Sequence, residues 1–117
     1  MTPHDLATAL GSLRELEFKQ LASFNKGTVG IFQTGAGVSP WERHPDDDEL
    51  LHVLEGAVEI TVVTPEGWRT ASVTAGSIFI VPRGLWHRHT IKERLVELYV
   101  TPGETEHSMA ADPTVSP

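Results

Sequence analysis

Apolar and polar side chains alternate with a period of two along most of this chain, in short runs cut by glycine, proline or clustered aspartate. That is the pattern of half-buried strands joined by turns. The N-terminus is the exception. Leu6, Leu10 and Leu13 recur there at spacings of four and three, the helical period. Thr2 can cap such a helix, Pro3 suits its first position, Asp5 complements its positive end and Gly11 breaks it. The pattern predicts a helix over residues 3–10, with a ragged turn after it.

From Glu17 the period changes. Phe18, Leu21 and Phe24 lead into a β-rich run over 28–34, closed by Gly35-Ala36-Gly37. Trp41 to His44 follows, and Pro45-Asp46-Asp47-Asp48 can only turn. Further strands are predicted over 49–54, 58–63, 68–73, 77–81, 86–91 and 94–101. Glu55-Gly56, Pro65-Glu66-Gly67, Ala75-Gly76 and Pro82-Arg83-Gly84 are the turns that separate most of them. Short strands in this number, punctuated in this way, predict an all-β fold closed into an antiparallel barrel. Residues 102–117 carry three prolines and few large apolar side chains, so a loosely draped tail is expected there. The expected division is a helix and lead-in strand over 1–24, a barrel over 25–101 and a flexible tail over 102–117. At 117 residues there is room for one domain.

Composition narrows the chemistry. No cysteine is present, which excludes disulfides, thiolate metal ligands and a cysteine nucleophile and fits a reducing cytoplasm. The net charge is −7, from 16 acidic and 9 basic side chains, a balance that repels a phosphate backbone. The densest basic stretch, residues 83–94, is interleaved with apolar residues and reads as a strand with one solvated face. No nucleic-acid partner is therefore expected. No apolar run approaches a membrane span, and no basic segment leads into an apolar core at the N-terminus. The expectation is a cytoplasmic protein that engages no membrane. Gly-x-Ser-x-Gly and P-loop patterns are missing, so serine-hydrolase and nucleotide chemistry have no support.

Candidate ligands fall in two glycine-bounded segments. Strand alternation sets Glu42 and His44 on one face, Glu49, Leu51 and Val53 on one face, and His87, His89 and Ile91 on one face. If those faces form the barrel interior, two imidazoles and a carboxylate converge from His44, Glu49 and His87. Such a set leaves positions open on one divalent ion, and Fe(II), Mn(II), Co(II), Ni(II) or Zn(II) all suit it. Glu42 could add a second carboxylate or turn aside to Arg43 or Arg83. His89 is a candidate for orienting a ligand or moving a proton. His52 should face away, and His4 and His107 fall outside the pattern as solvated residues. The three aspartates at 46–48 lack the spacing of a calcium loop and read as a solvated turn. Trp41 and Trp86 alternate with the ligands and should pack a second sheet or a dimer interface.

These segments resemble the cupin superfamily, in particular its small single-domain bacterial members. The end of the first motif is matched by His44, four residues, Glu49, six residues and Gly56. The second is matched by Gly76, Pro82, Gly84 and His87, with Ile91 where the family closes on asparagine. Where the family has the first histidine of His-x-His, this chain has Glu42. The resemblance spans roughly 28–101. It implies a double-stranded β-helix, or jelly roll, and metal ligands at His44, Glu49 and His87. It also implies a homodimer. Read together, the residues and the resemblance imply a metal-dependent enzyme acting on a small organic molecule, by oxygenation, isomerisation or lyase chemistry, with Glu42 as ligand or base and His89 as proton carrier. The alternatives are a non-catalytic metal or small-molecule sensor and a metal-free cupin using Glu42, His44 and His89 as acid and base.

Overall fold

The computed structural model describes residues 1–14 and 17–115. Its elements are α1 (Leu6–Gly11), β1 (Glu17–Phe24), β2 (Gly27–Val38), β3 (Trp41–Arg43), β4 (Glu49–Thr64), β5 (Gly67–Thr74), β6 (Ile78–Val81), β7 (His87–Thr101) and β8 (Glu106–Ser108). All the strand pairings are antiparallel. The fold is the expected all-β jelly roll with a short N-terminal helix.

Two long strands close it. The first half of β4 lies beside the second half of β7, with Leu50 opposite Val100 and Val53 opposite Glu97. The second half of β4 lies beside the first half of β7, with Ile60 opposite His89 and Val62 opposite His87. The register shifts between these stretches, at Val53/Glu55 and Gly56/Glu59. Gly56 sits at the bend with φ +78, and a Cβ there would collide with the carbonyl oxygen of Arg94. Two pairs of short strands expected from the sequence are thus two bent ones, β4 and β7. A single left-handed glycine at a bulge turns a strand without ending its ladder.

Inward-facing residues of β2, β4, β5, β6 and β7, among them Phe32, Leu51, Val53, Ile60, Val73, Val81 and Leu95, form the main core. A second cluster lies on the outer face, where Ala9 and Leu13 pack on Ile31 and Val96. The helix that supplies Ala9 starts later than expected. Asp5, not Thr2, is its cap, and its carboxylate accepts from the Ala7 and Thr8 amides at 3.0 and 3.3 Å. One carboxylate satisfying two orphaned donors outweighs the hydroxyl of Thr2 and the fixed φ of Pro3. The ragged turn expected next falls partly on residues 15–16, outside the described residues.

The segment after Pro102 also differs from a loosely draped tail. β8 pairs with β3, setting Trp41, Glu42 and Arg43 opposite Ser108, His107 and Glu106. Arg43 grips Glu106 through two hydrogen bonds of 3.0 and 3.1 Å. A short backbone ladder and one forked ion pair hold a strand that composition alone gives no reason to expect. Trp41 belongs to the interior of the chain rather than to a second sheet or a dimer interface. It is 2% exposed, lying under the Arg88 guanidinium at 4.4 Å and against Trp68 at 5.2 Å.

Candidate metal centre

Three strands and one turn bring the ligand candidates together. Glu42 comes from β3, Glu49 from the first residue of β4, His87 from the first residue of β7, and His44 from the turn after β3. Two contacts fasten that turn to the second motif. The Gly84 amide donates to the His44 carbonyl at 2.7 Å, and the Arg83 amide donates to the Asp48 carboxylate at 2.9 Å. Asp48 therefore has a structural task that a merely solvated turn would not give it. Gly84 has φ +77, a conformation that costs glycine little and other residues more.

The donor atoms of Glu42, His44, Glu49 and His87 all lie within 4.8 Å of one another. His44 Nε2 and His87 Nε2 are each 3.2 Å from the same Glu49 Oε1. Those three atoms are buried and none makes a well-directed hydrogen bond. Buried polar atoms left this way are costly unless something else satisfies them. Two imidazole nitrogens and a carboxylate oxygen aimed at one point are a fitting donor set for a divalent transition metal. Glu42 is less committed: its Oε2 is 4.0 Å from both imidazole nitrogens. It turns to neither Arg43 nor Arg83 by ion pairing, and its other oxygen is 3.5 Å from His107 Nε2. His107, expected to be solvated, is more than half exposed but stands at the site's edge.

The surroundings fix the ligands. Glu49 Oε2 accepts from the Thr101 hydroxyl at 2.5 Å. Burial pushes the Glu49 carboxyl up, but the two imidazoles beside it prevail and hold it well below the ordinary carboxylate range. Burial likewise works to lower His44, and close contact with Glu49 more than offsets it, leaving its pKa raised. His89 lies outside the cluster of four. Its Nε2 meets both oxygens of Glu97, at 3.0 and 3.2 Å, and Glu97 is 0% exposed. Burial opposes the charged imidazole there too, but the Glu97 charge keeps its pKa raised.

A cavity of about 550 Å³ opens beside the cluster and is lined by its two carboxylates, Glu42 and Glu49. Phe18, Phe32, Leu51, Ile91 and Tyr99 supply apolar wall, while Glu42, Glu49, His89 and Glu97 supply polar wall. Phe18 stacks on Phe32 at 4.6 Å, and Tyr99 meets Phe18 edge-on at 6.0 Å. Tyr99 faces inward over Gly30, where a Cβ would strike its hydroxyl. Burial and then the Glu49 charge raise the Tyr99 pKa.

The family model described as a cupin domain matches residues 28–101. This chain belongs to the cupin family. Among relatives of this cupin, the acireductone dioxygenase of Saccharomyces cerevisiae is 34% identical over 80 residues, covering 66% of the chain and 40% of that enzyme. Three curated relatives are longer than their match: the chain spans 40%, 24% and 58% of their lengths. Among solved structures, a cupin-2 domain protein from Shewanella frigidimarina superposes with a TM-score of 0.73 at 20% identity, covering 85% of this chain and 93% of that one. Hydroquinone 1,2-dioxygenase PnpCD, solved with Cd2+ and 4-hydroxybenzonitrile, superposes with a TM-score of 0.64 at 19% identity over 82% of this chain and 69% of that one. Both likenesses show the shared fold. The relatives of this cupin thus include a dioxygenase, and its own His/Glu cluster is able to hold a metal ion.

Sequence reasoning brought Glu42, His44, Glu49 and His87 to one place and left His89 beside it. It missed Glu97, Tyr99, Thr101 and the approach of Thr105 and His107. Glu97 had a legible signal, as the one carboxylate in the apolar run over 95–100 of a strand. Thr105 and His107 had none, because nothing in the tail's composition shows that it returns to β3.

Proposed function

We propose that this cupin binds one divalent transition metal through His44, Glu49 and His87, with Glu42 as fourth ligand, and acts on a small organic molecule held in the adjoining cavity. The observation that carries the proposal is the convergence of three buried, unsatisfied donor atoms, one of them on Glu49, which lines the cavity. A bound Fe(II), Mn(II), Ni(II) or Zn(II) would supply a Lewis acid with open positions. Of oxygenation, isomerisation and lyase chemistry, oxygenation has the added support of the acireductone dioxygenase relative.

The chain's own residues define the ligand. Among the described residues lining the cavity there is no lysine or arginine, and three carboxylates face it. Beyond the metal ion itself, phosphorylated and polycarboxylate substrates would find no cationic partner on that wall. An uncharged molecule with an apolar or aromatic part fits the Phe18, Phe32 and Tyr99 wall. Glu97 holds His89 in place, so that the imidazole can donate to or accept from a hydroxyl at the cavity side. A cytoplasmic homodimer is part of the same proposal. Ile78 and Ile80 are 59% and 44% exposed on β6, next to half-buried Leu50, Leu98 and Val100 on neighbouring strands. Light scattering should then give twice the chain mass of 12.8 kDa.

The test is metal content after purification without a tag or chelators, followed by titration of the metal-free protein. About one equivalent per chain is expected, and His44→Ala with His87→Ala should abolish it while the circular dichroism stays that of a β-protein. Stoichiometric uptake by that double variant would sink the assignment.

A further inference from the structure

The four donors fall between Glu42 and His87, yet residues beyond the cupin-domain match at 28–101 reach two of them. The carbonyl oxygen of Glu104 is 3.2 Å from His44 Nδ1, and the Thr105 hydroxyl is 3.1 Å from the same nitrogen. A carbonyl oxygen only accepts, so with a metal ion on Nε2 in place of the Glu49 contact the proton of the neutral ring sits on Nδ1. The Nε2 lone pair is then left facing Glu49 and His87. Two residues further on, His107 Nε2 lies 3.5 Å from Glu42 Oε1. The other Glu42 oxygen is the one that faces the two imidazoles.

Both contacts are set by backbone. Glu42 and His107 are direct cross-strand partners in the β3–β8 ladder, so their side chains leave the same face side by side. The Arg43–Glu106 fork clamps the neighbouring pair on the other face, and the Arg43 guanidinium rests over the Trp86 ring at 4.5 Å. Without β8, Glu42 would be a carboxylate at the mouth of the site, about one-third exposed as it stands and free to choose among rotamers.

We propose that residues 104–108 are a working part of the metal centre. Glu104 and Thr105 set the tautomer and direction of His44, and His107 turns Glu42 inward, so this cupin completes its site with a strap lying beyond the cupin domain. These are positioning residues, and the inference rests on the metal-centre reading above. Partners that orient a ligating imidazole or carboxylate in this way alter metal affinity by about 10–100-fold.

The test compares the full chain with a chain ending at Gly103 and with the variants Thr105→Val and His107→Ala. Zn(II) affinity is read by competition with a chromophoric chelator, and coordination geometry from the absorption of the Co(II) form. The His44 tautomer is read in the metal-free protein by long-range proton–nitrogen NMR. The shortened chain should keep its β spectrum, bind Zn(II) about 10–100-fold more weakly and show His44 in both tautomers. The single variants should each lose part of that affinity and change the Co(II) spectrum. Equal affinity, an unchanged Co(II) spectrum and a single His44 tautomer without the strap would overturn the proposal. If the shortened chain fails to fold, the two variants carry the same readouts. If the full chain takes up no metal, the metal-centre reading falls, and the tautomer comparison alone decides whether the strap positions His44.

Discussion

Glu49 and Glu97 are both buried carboxylates on inward faces of the barrel, and they differ in what surrounds them. Glu49 touches two imidazoles and a hydroxyl; Glu97 has His89 alone among the hydrogen-bond partners described. A buried charge that loses its only partner is costly, whereas replacing both members with apolar groups is nearly neutral. His89→Leu should therefore cost about 3–5 kcal/mol in urea unfolding, and adding Glu97→Leu should recover most of it. A double variant as unstable as the single one would show that the pair contributes more than mutual neutralisation. The site also sets a pH window. Glu49 titrates below its ordinary 4.5, so its contribution is present above that value and lost as the pH falls through the depressed one. His44 titrates above its ordinary 6.5, so its contribution is full below 6.5 and lost as the pH rises through the raised one. Metal-free protein should thus melt highest between those limits and weaken on the alkaline side. Metal competes with the same proton on His44, so affinity should fall as the pH drops through the His44 range. At this scale His44, Glu49 and His87 were legible because two-residue alternation and motif spacing fix their face. Glu97 was not read, because the pattern predicts separate strands over 86–91 and 94–101, whereas β7 is one strand that carries the face of His89 on to Glu97.

At the scale of elements, the sequence marks where strands turn but not whether they end. Glu55-Gly56 carries every local sign of a turn, and yet β4 runs through it, because β7 bends alongside and keeps the ladder paired. Gly56→Ala should cost at least ~2 kcal/mol, from a left-handed conformation and a collision with the Arg94 carbonyl. Thermal unfolding would show it, and a melting point equal to that of the native chain would contradict the account of the bend. The helix start was misplaced for a related reason. Thr2, Pro3 and Asp5 all favour a helix end, and only the structure shows which one meets the free amides. The two ligand-bearing segments are joined by backbone-level fastenings, Gly84 to His44 and Arg83 to Asp48. These fastenings explain why the second motif needs its Pro-x-Gly turn opposite the first.

For the whole molecule, short strands with regular punctuation were enough to predict a closed antiparallel barrel, and the motif spacing narrowed that to a cupin. The return of the C-terminal segment to β3 was beyond such reading, since it depends on pairing at a sequence distance of about 60 residues. One feature of the finished barrel reaches past its interior. The cavity presents three carboxylates without a lysine or arginine among its described lining residues, in a chain of net charge −7. To a dication in solution the metal-free mouth is a funnel, and to an organic anion it is a barrier until the ion is in place. Capture of Mn(II) should therefore be fast at low ionic strength and slow as potassium chloride is raised, with little change in its rate of escape. Stopped-flow mixing would separate the two rates, and a capture rate indifferent to salt would mean that the field of the barrel plays no part in loading it.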